Sequence, residues 1–460
     1  MEPDKVRLVQ SKYEGSAAKQ IFAVLIACTG AFSFGYTIGF SSPGIPSMIK
    51  AQVITEVDAG FFGSLLPVGA IFGGPVGGWC VEKLGRKRTI LLTSLPFMCG
   101  WLTIAYHQAL MHMFIGRLLT GFASGMITVC VPVYNAEVSS KTYRGKLGSF
   151  TQLFITIGIL AVYLIGATLD WKNLALVGII PAALTAFGCL YLPESPHWLL
   201  SRGQKAEAIN ALKLLRDNHM DVGEECRDIE ESIDVQEKVP CSEFMKPEIL
   251  KPLMIILFVM VFQQFSGINA IMFYSVTIFE MQFPEAAHEA SIAVGVVQVF
   301  GTLTASMFMD KSGRRKLLVI SGAIMSSCLF MLGYLFSLST TSSPIYKWMA
   351  LISVMLYVIG FGLGWGPIPI LVMSELLPAR VRGGASAVAI LTNWSCAFVV
   401  TMTFIPFKDL IGDEMVFFLF GASCILSVCF VLRFLPETKG KSLEDIELFF
   451  LGKGAGPSVV

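Results

Sequence analysis

The sequence predicts an all-α membrane protein, with about twelve transmembrane helices in two six-helix bundles joined by short linker helices. Two observations carry this. The 460 residues are 54% hydrophobic and only 15% charged, with a mean hydropathy of +0.68. A water-soluble chain of that length needs more charge to cover its surface. The second is a repeat: "VEKLGRKR" at 81–88 returns as "MDKSGRRK" at 309–316, each set between long apolar runs.

The elements follow in chain order. Residues 1–19 form a polar tail with Lys5, Arg7, Lys12 and Lys19 and no small-residue cleavage site, which points to a signal-anchor first span. Apolar runs near 20–41, 60–81, 89–107, 109–134, 147–168 and 173–192 make a first bundle over 20–192. Residues 193–250 show a helical apolar period with mixed charge ("KAEAINALKLLRDN"), the mark of surface helices linking two bundles. Runs near 252–279, 291–309, 317–338, 347–373, 385–407 and 415–435 make a second bundle over 251–436, and 437–460 form a tail. One set of short loops holds thirteen Lys and Arg, among them Arg86, Arg144, Arg314, Arg315 and Arg382, whereas the alternate set holds only Lys50, Lys172, Lys347 and Lys408. The positive-inside rule then places the linker and both termini in the cytoplasm.

The repeated strings lie between the second and third spans of each half. A second pair, "AEVSSKTYRG" (136–145) and "SELLPARVRG" (374–383), follows the fourth spans, and "LPESP" (192–196) and "LPETKG" (435–440) follow the sixth. Three echoes in one order mean an internal duplication in parallel orientation, the architecture of a two-bundle secondary transporter. The duplicated charges suggest a cytoplasmic latch. Glu82, Glu137 and Glu194 would pair with Arg86 and Arg144 in the first half, and Asp310, Glu375 and Glu437 with Arg314, Arg315 and Arg382 in the second. Such pairing is expected when the bundles close on the cytoplasmic side, with partly desolvated networks worth on the order of a few kcal/mol each. Positive-inside topology alone would need no acidic partners.

Neutral amides are costly in hydrocarbon unless paired or facing a cavity. Gln152, Gln263, Gln264, Asn269, Gln298 and Asn393 all sit near span centres, three of them on the seventh span, where Gly267 can break the helix. Amides both donate and accept, which suits a neutral polyol, and Trp394 offers a ring face for stacking. Interspan glue would explain one or two of these positions, but poorly explains three on one span. Gly366, Pro367 and Pro369 crowd the tenth span with Gly360, Gly362 and Gly364, so that span should kink and serve as a mobile gate.

Other classes fit poorly. The net charge of +1 gives no field for nucleic acid, and the eleven Cys and five His show no metal-ligand spacing, so no cofactor is implied. No HExxH, Cys/His pair or phosphate loop lies at a membrane face, which argues against an enzyme. The sequon Asn393-Trp394-Ser395 lies inside an apolar run, where no glycan could be added.

Taken together, "GRKR" (85–88), "GR" (116–117), "YNAEVSSKTYRG" (134–145), "PESP" (193–196), "QQFSGINAIMFY" (263–274), "GRR" (313–315), "WGPIP" (365–369), "NW" (393–394) and "PETKG" (436–440) make the chain resemble the sugar-porter family of the major facilitator superfamily over almost its whole length. It looks close to the class III facilitative glucose transporters and the insect trehalose transporters. The resemblance implies a major facilitator fold that carries a neutral sugar, with hexoses first and trehalose, myo-inositol or dehydroascorbate as alternatives. It implies that the amides and Trp394 contact the sugar, that Phe273 and Tyr274 form the extracellular gate, and that the chain works as a monomer in the lipid bilayer. The plasma membrane is favoured, with endosomal or lysosomal membranes as alternatives. In related proton symporters an Asp follows "FGY" in the first span; Thr37 stands there and no span centre carries Asp or Glu, which favours uniport over proton coupling. A non-transporting sugar receptor would usually carry a longer cytoplasmic tail. Two positions depart from the pattern: Ile370 stands where Trp usually follows "GPIP", and His197 where Arg usually follows "PESP". The second should weaken the first-half latch or make it pH-sensitive.

Overall fold

Apolar runs this long leave the backbone no water to bond, so each segment must satisfy its own N–H and C=O groups, and helix is what results. The computed structural model describes residues 17–140, 142–216, 222–234, 246–280, 285–308, 312–338, 344–378, 381–439 and 450, and these are helical apart from short turns. The first half comprises α1 (Ala17–Lys50), α2 (Glu56–Leu84), α3 (Arg86–Ala105), α4 (Leu110–Val138), α5 (Arg144–Gly166) and a sixth span made of α6 (Trp171–Val177) and α7 (Ile179–Tyr191). Three short helices follow: α8 (Pro196–Ser201), α9 (Lys205–Leu215) and α10 (Gly223–Asp234). In the second half the seventh span is broken into α11 (Pro247–Phe265), α12 (Ile268–Phe273) and α13 (Ser275–Glu280). After α14 (Ala287–Phe308) and α15 (Arg314–Ser337), the tenth span is broken into α16 (Pro344–Leu363) and α17 (Ile368–Leu376), and α18 (Arg382–Ile411) and α19 (Asp413–Phe434) complete the set.

Among the described residues, eleven helical stretches are long and apolar enough to cross a membrane. The chain is an integral, multi-pass membrane protein. At the eighth-span position lies α14, with 22 residues. Small residues set the helix packing. An added Cβ at Gly35 of α1 would stand 2.0 Å from the Ile155 carbonyl oxygen of α5, and one at Gly73 of α2 would stand 2.0 Å from that of Phe122 on α4. Larger side chains at either position would push the backbones apart.

The buried core is divided unevenly between the two membrane faces. One cluster runs from Tyr36, Phe40, Phe62 and Tyr163 of the first half into Met260, Phe273, Tyr357 and Phe404 of the second. A separate cluster holds Val24, Ala27, Ile90, Phe97 and Ile127, all of the first half. Along α1 the separate cluster lies toward the loops rich in Lys and Arg, and the shared one lies away from them. The two halves are thus joined by a common core at the face opposite the basic loops. At the basic face, α8–α10 build their own small core from Trp198, Leu199, Ala208, Leu212, Cys226 and Ile229. They dock on the first half: the indole N–H of Trp198 donates to the Glu82 carbonyl at 2.9 Å, and buried Arg216 reaches the Val138 carbonyl at 2.9 Å while holding Glu225 at 2.8 Å.

Candidate functional site

The break in the seventh span builds the site. Gly267 adopts φ +87, a left-handed turn that a side chain would strain, and a Cβ there would also meet the Phe420 ring at 2.5 Å. Helix α12 therefore restarts with Asn269 turned back onto α11. Asn269 Nδ2 donates to Gln264 Oε1 at 2.5 Å, Gln264 Nε2 to Asn393 Oδ1 at 2.9 Å, and Asn393 Nδ2 to Gln263 Oε1 at 2.7 Å. Gln263 Nε2 completes the run on the carbonyls of Trp365 and Gly366, at 2.7 and 3.1 Å, in the break of the tenth span. Four side-chain amides thus form one directed chain of hydrogen bonds between the two broken spans. Each amide carries two donor hydrogens and two acceptor lone pairs, so the chain retains capacity for further hydroxyl partners.

The other sequence-derived positions lie outside that chain. Gln152 on α5 is half-buried. Gln298 on α14 is buried, and its Oε1 has no partner among the described residues, which leaves an unmatched acceptor inside the protein. Half-buried Trp394 meets Phe34 of α1 edge-on, ring centroids 6.0 Å apart, so it bridges the halves near mid-membrane. Ile370 is 58% exposed, while Trp365, five residues earlier, is buried with its indole N–H on the Leu318 carbonyl at 3.1 Å. The Trp365 ring therefore does not replace the ring missing at 370. Pro367 and Pro369 flank the start of α17, where Gly366 N–H bonds back to the Phe361 carbonyl at 2.8 Å.

Phe273 and Tyr274 are buried at the end of α12, within the core that the two halves share. Tyr274 stacks on Phe404 with centroids 5.1 Å apart. Next to them Tyr163 Oη of the first half donates to the Met272 carbonyl at 2.7 Å, and Val276 N–H donates to Ser42 Oγ at 3.1 Å. The sequence reading missed Arg117 of α4, although its "GR" string was the available signal. Arg117 is fully buried among these groups, with NH1 donating to the Thr37 carbonyl at 2.8 Å.

At the basic face the duplicated strings form two matching clusters. Arg86 donates through Nε and NH2 to Glu137 at 2.8 and 2.7 Å, Ser195 Oγ also donates to Glu137, and the N–H groups of Arg86 and Lys87 rest on Glu194 at 2.8 and 3.0 Å. In the second half Arg314 donates through Nε and NH2 to Glu375 at 3.1 and 2.9 Å, Thr438 Oγ1 donates to Glu375 at 2.5 Å, and the N–H groups of Arg314 and Arg315 rest on Glu437 at 2.9 and 3.2 Å. Glu194 and Glu437 thereby cap the starts of α3 and α15, where helix dipoles favour negative charge.

Two parts of the latch expectation need correction. Among the described residues Glu82, Arg144 and Arg382 form no ion pair: Glu82 and Arg144 are exposed, and Arg382 Nε and NH2 reach the Leu377 carbonyl at 3.3 and 3.1 Å. Asp310 lies outside the described residues. Each pair that does form joins helices of one half, so it exists here without the halves sharing a buried core at the basic face among the described residues. His197 takes no part in either pair. Burial pushes it below the usual histidine range, and its Nδ1 has no partner among the described residues.

The family model for "Sugar (and other) transporter" matches residues 23–450. The chain is 38% identical to the mouse (Mus musculus) "Solute carrier family 2, facilitated glucose transporter member 8", covering 94% of both chains. It is also 38% identical to the "Facilitated trehalose transporter Tret1" of Polypedilum vanderplanki, covering 94% of this chain and 88% of that one. Among solved structures, the partially occluded inward-open xylose transporter XylE of E. coli superposes with a TM-score of 0.80 at 26% identity, covering 93% of this chain and all (100%) of that one.

Proposed function

The chain belongs to the Sugar (and other) transporter family, with the major facilitator fold, and from that premise we propose that it is a facilitative uniporter of a neutral hexose. Sugar transport by alternating access follows from the family and the fold. The observation that carries the finer reading is the amide chain Asn269–Gln264–Asn393–Gln263, which ends on the broken tenth span. It offers donors and acceptors without charge, the chemistry that recognises a polyol hydroxyl. Because Gln263 holds both the chain and the tenth-span carbonyls, a sugar that recruits Gln263 also loosens α17. Gln152, Gln298 and Trp394 complete the proposed contact set.

Uniport is supported at Thr37, whose hydroxyl donates to the Ser33 carbonyl at 2.8 Å. No Asp or Glu is buried at a span centre among the described residues, so no group there is suited to carry a coupled proton. The moving units we propose are the halves 20–192 and 251–436, with the basic face and both termini in the cytoplasm. The shared core at the opposite face then describes a state closed to the outside. A monomer in the plasma membrane is the favoured setting. The test is uptake of labelled glucose, fructose, trehalose and myo-inositol into proteoliposomes with and without a pH gradient. Glucose should equilibrate at equal concentrations in both cases; accumulation driven by outside acid would assign proton coupling instead. Preference for trehalose would place the chain beside Tret1 in substrate.

Ile370 sets a further expectation. Being 58% exposed beside the break, it leaves room for a ring. Ile370→Trp is expected to tighten glucose half-saturation by about 0.5–1.5 kcal/mol through stacking. Uptake measured against sugar concentration checks it, and weaker binding of every sugar would remove position 370 from the site.

A further inference from the structure

Arg117 is a cation with no accessible surface, and no carboxylate pairs with it among the described residues. Two of its nitrogens are held by α1, NH1 on the Thr37 carbonyl at 2.8 Å and NH2 on Ser41 Oγ, while Nε has no partner among the described residues. Its guanidinium carbon stands 5.1 Å from the Phe62 ring centroid of α2 and 5.9 Å from the Phe273 ring centroid of α12. Three helices of the first half thus bring one charge to a ring that belongs to the second half. An unpaired charge is expensive in so apolar a place and is kept where it has work to do.

We propose that Arg117 is the positioning residue of the outer gate: its guanidinium, held by α1, attracts the Phe273 face and holds α12 of the second half against the first. The contact is specific to the state closed outside, because withdrawing α12 takes Phe273 away and leaves the guanidinium to water. Tyr163 and Ser42 meet the α12–α13 backbone alongside it and supply shape, whereas Arg117 supplies a fully buried charge. This rests on the alternating-access reading and adds to it the identity of the group that sets the gate's closed population.

The experiment is a double-mutant cycle on outside accessibility without sugar, using a membrane-impermeant thiol reagent and a reporter made by Val276→Cys, a position that is 1% exposed. The protein without the reporter supplies the background labelling. With Arg117 present, Phe273→Leu should raise the labelling rate about threefold to tenfold, the span expected for a desolvated cation–ring contact. In an Arg117→Met background the same change should matter less than about 1.5-fold, since the ring then has no cation to lose. Arg117→Lys keeps the charge without the planar group and should give an intermediate coupling, which preserves the test if the Met variant fails to fold. Equal effects of Phe273→Leu in all three backgrounds would overturn the proposal and reduce Arg117 to a packing residue. Sugar counterflow on the same vesicles is read separately, so failure of the transport reading is distinguishable from failure of the gate assignment.

Discussion

Gln263→Ala is expected to weaken glucose half-saturation by about 1–3 kcal/mol, a rise of roughly fivefold to 150-fold, with membrane insertion near normal. The size follows from the position of Gln263 in the amide chain. Its Nε2 serves two backbone carbonyls and its Oε1 serves Asn393, so truncation leaves several buried polar groups without partners as well as removing the proposed sugar contact. Concentration-dependent uptake separates the two consequences: a rise in half-saturation reports lost binding, and a fall in maximal rate reports a loosened tenth span. Gln152→Ala, half-buried and outside the chain, is expected to cost less. Unchanged half-saturation in both variants would place the sugar elsewhere in the protein.

The second large effect concerns the basic face. Arg86→Ala strands Glu137, and Arg314→Ala strands Glu375, in pairs whose side chains are only 13–20% exposed. Breaking such a pair from one side costs about 3 kcal/mol, because the remaining carboxylate stays partly desolvated. Each variant should therefore melt earlier in detergent. Adding Glu137→Gln to Arg86→Ala, or Glu375→Gln to Arg314→Ala, should recover part of the loss by removing the stranded charge. Since the two clusters lie in different halves, the losses should add when the arginines are changed together. Melting unchanged from the parent would mean that these pairs are surface contacts without structural weight.

Much of this was legible in the sequence because membrane helices obey a strong backbone constraint. The long apolar runs and the breaks at Gly267 and Gly366 follow from local chemistry, and the repeat named the sets of charges from which Arg86 pairs with Glu137 and Arg314 with Glu375. Which acidic residue of each set takes the arginine was not legible: Glu137 and Glu375 take the guanidinium groups, while Glu194 and Glu437 take backbone N–H groups. Which amide bonds which was not legible. That depends on the left-handed turn at Gly267 swinging Asn269 onto Gln264, and a linear sequence does not show where a broken helix re-enters. Glu82, Arg144 and Arg382 misled for a related reason, as charge near a membrane face says nothing of whether the side chain turns to a partner or to water. Arg117 was overlooked because a single Gly-Arg pair carries little information until four helices are seen to close around it.

Alternating access requires that sugar crosses through a site exposed to one side at a time. Counterflow tests this most directly. Proteoliposomes are loaded with unlabelled glucose, diluted into a trace of labelled glucose at equal pH on both sides, and followed over time. Label is expected to rise transiently above its outside concentration and then fall back, because inside sugar competes for the inward-facing site and traps the label. Label that approaches equilibrium without overshoot would indicate a pore, and label that fails to enter any faster than into empty liposomes would contradict transport altogether.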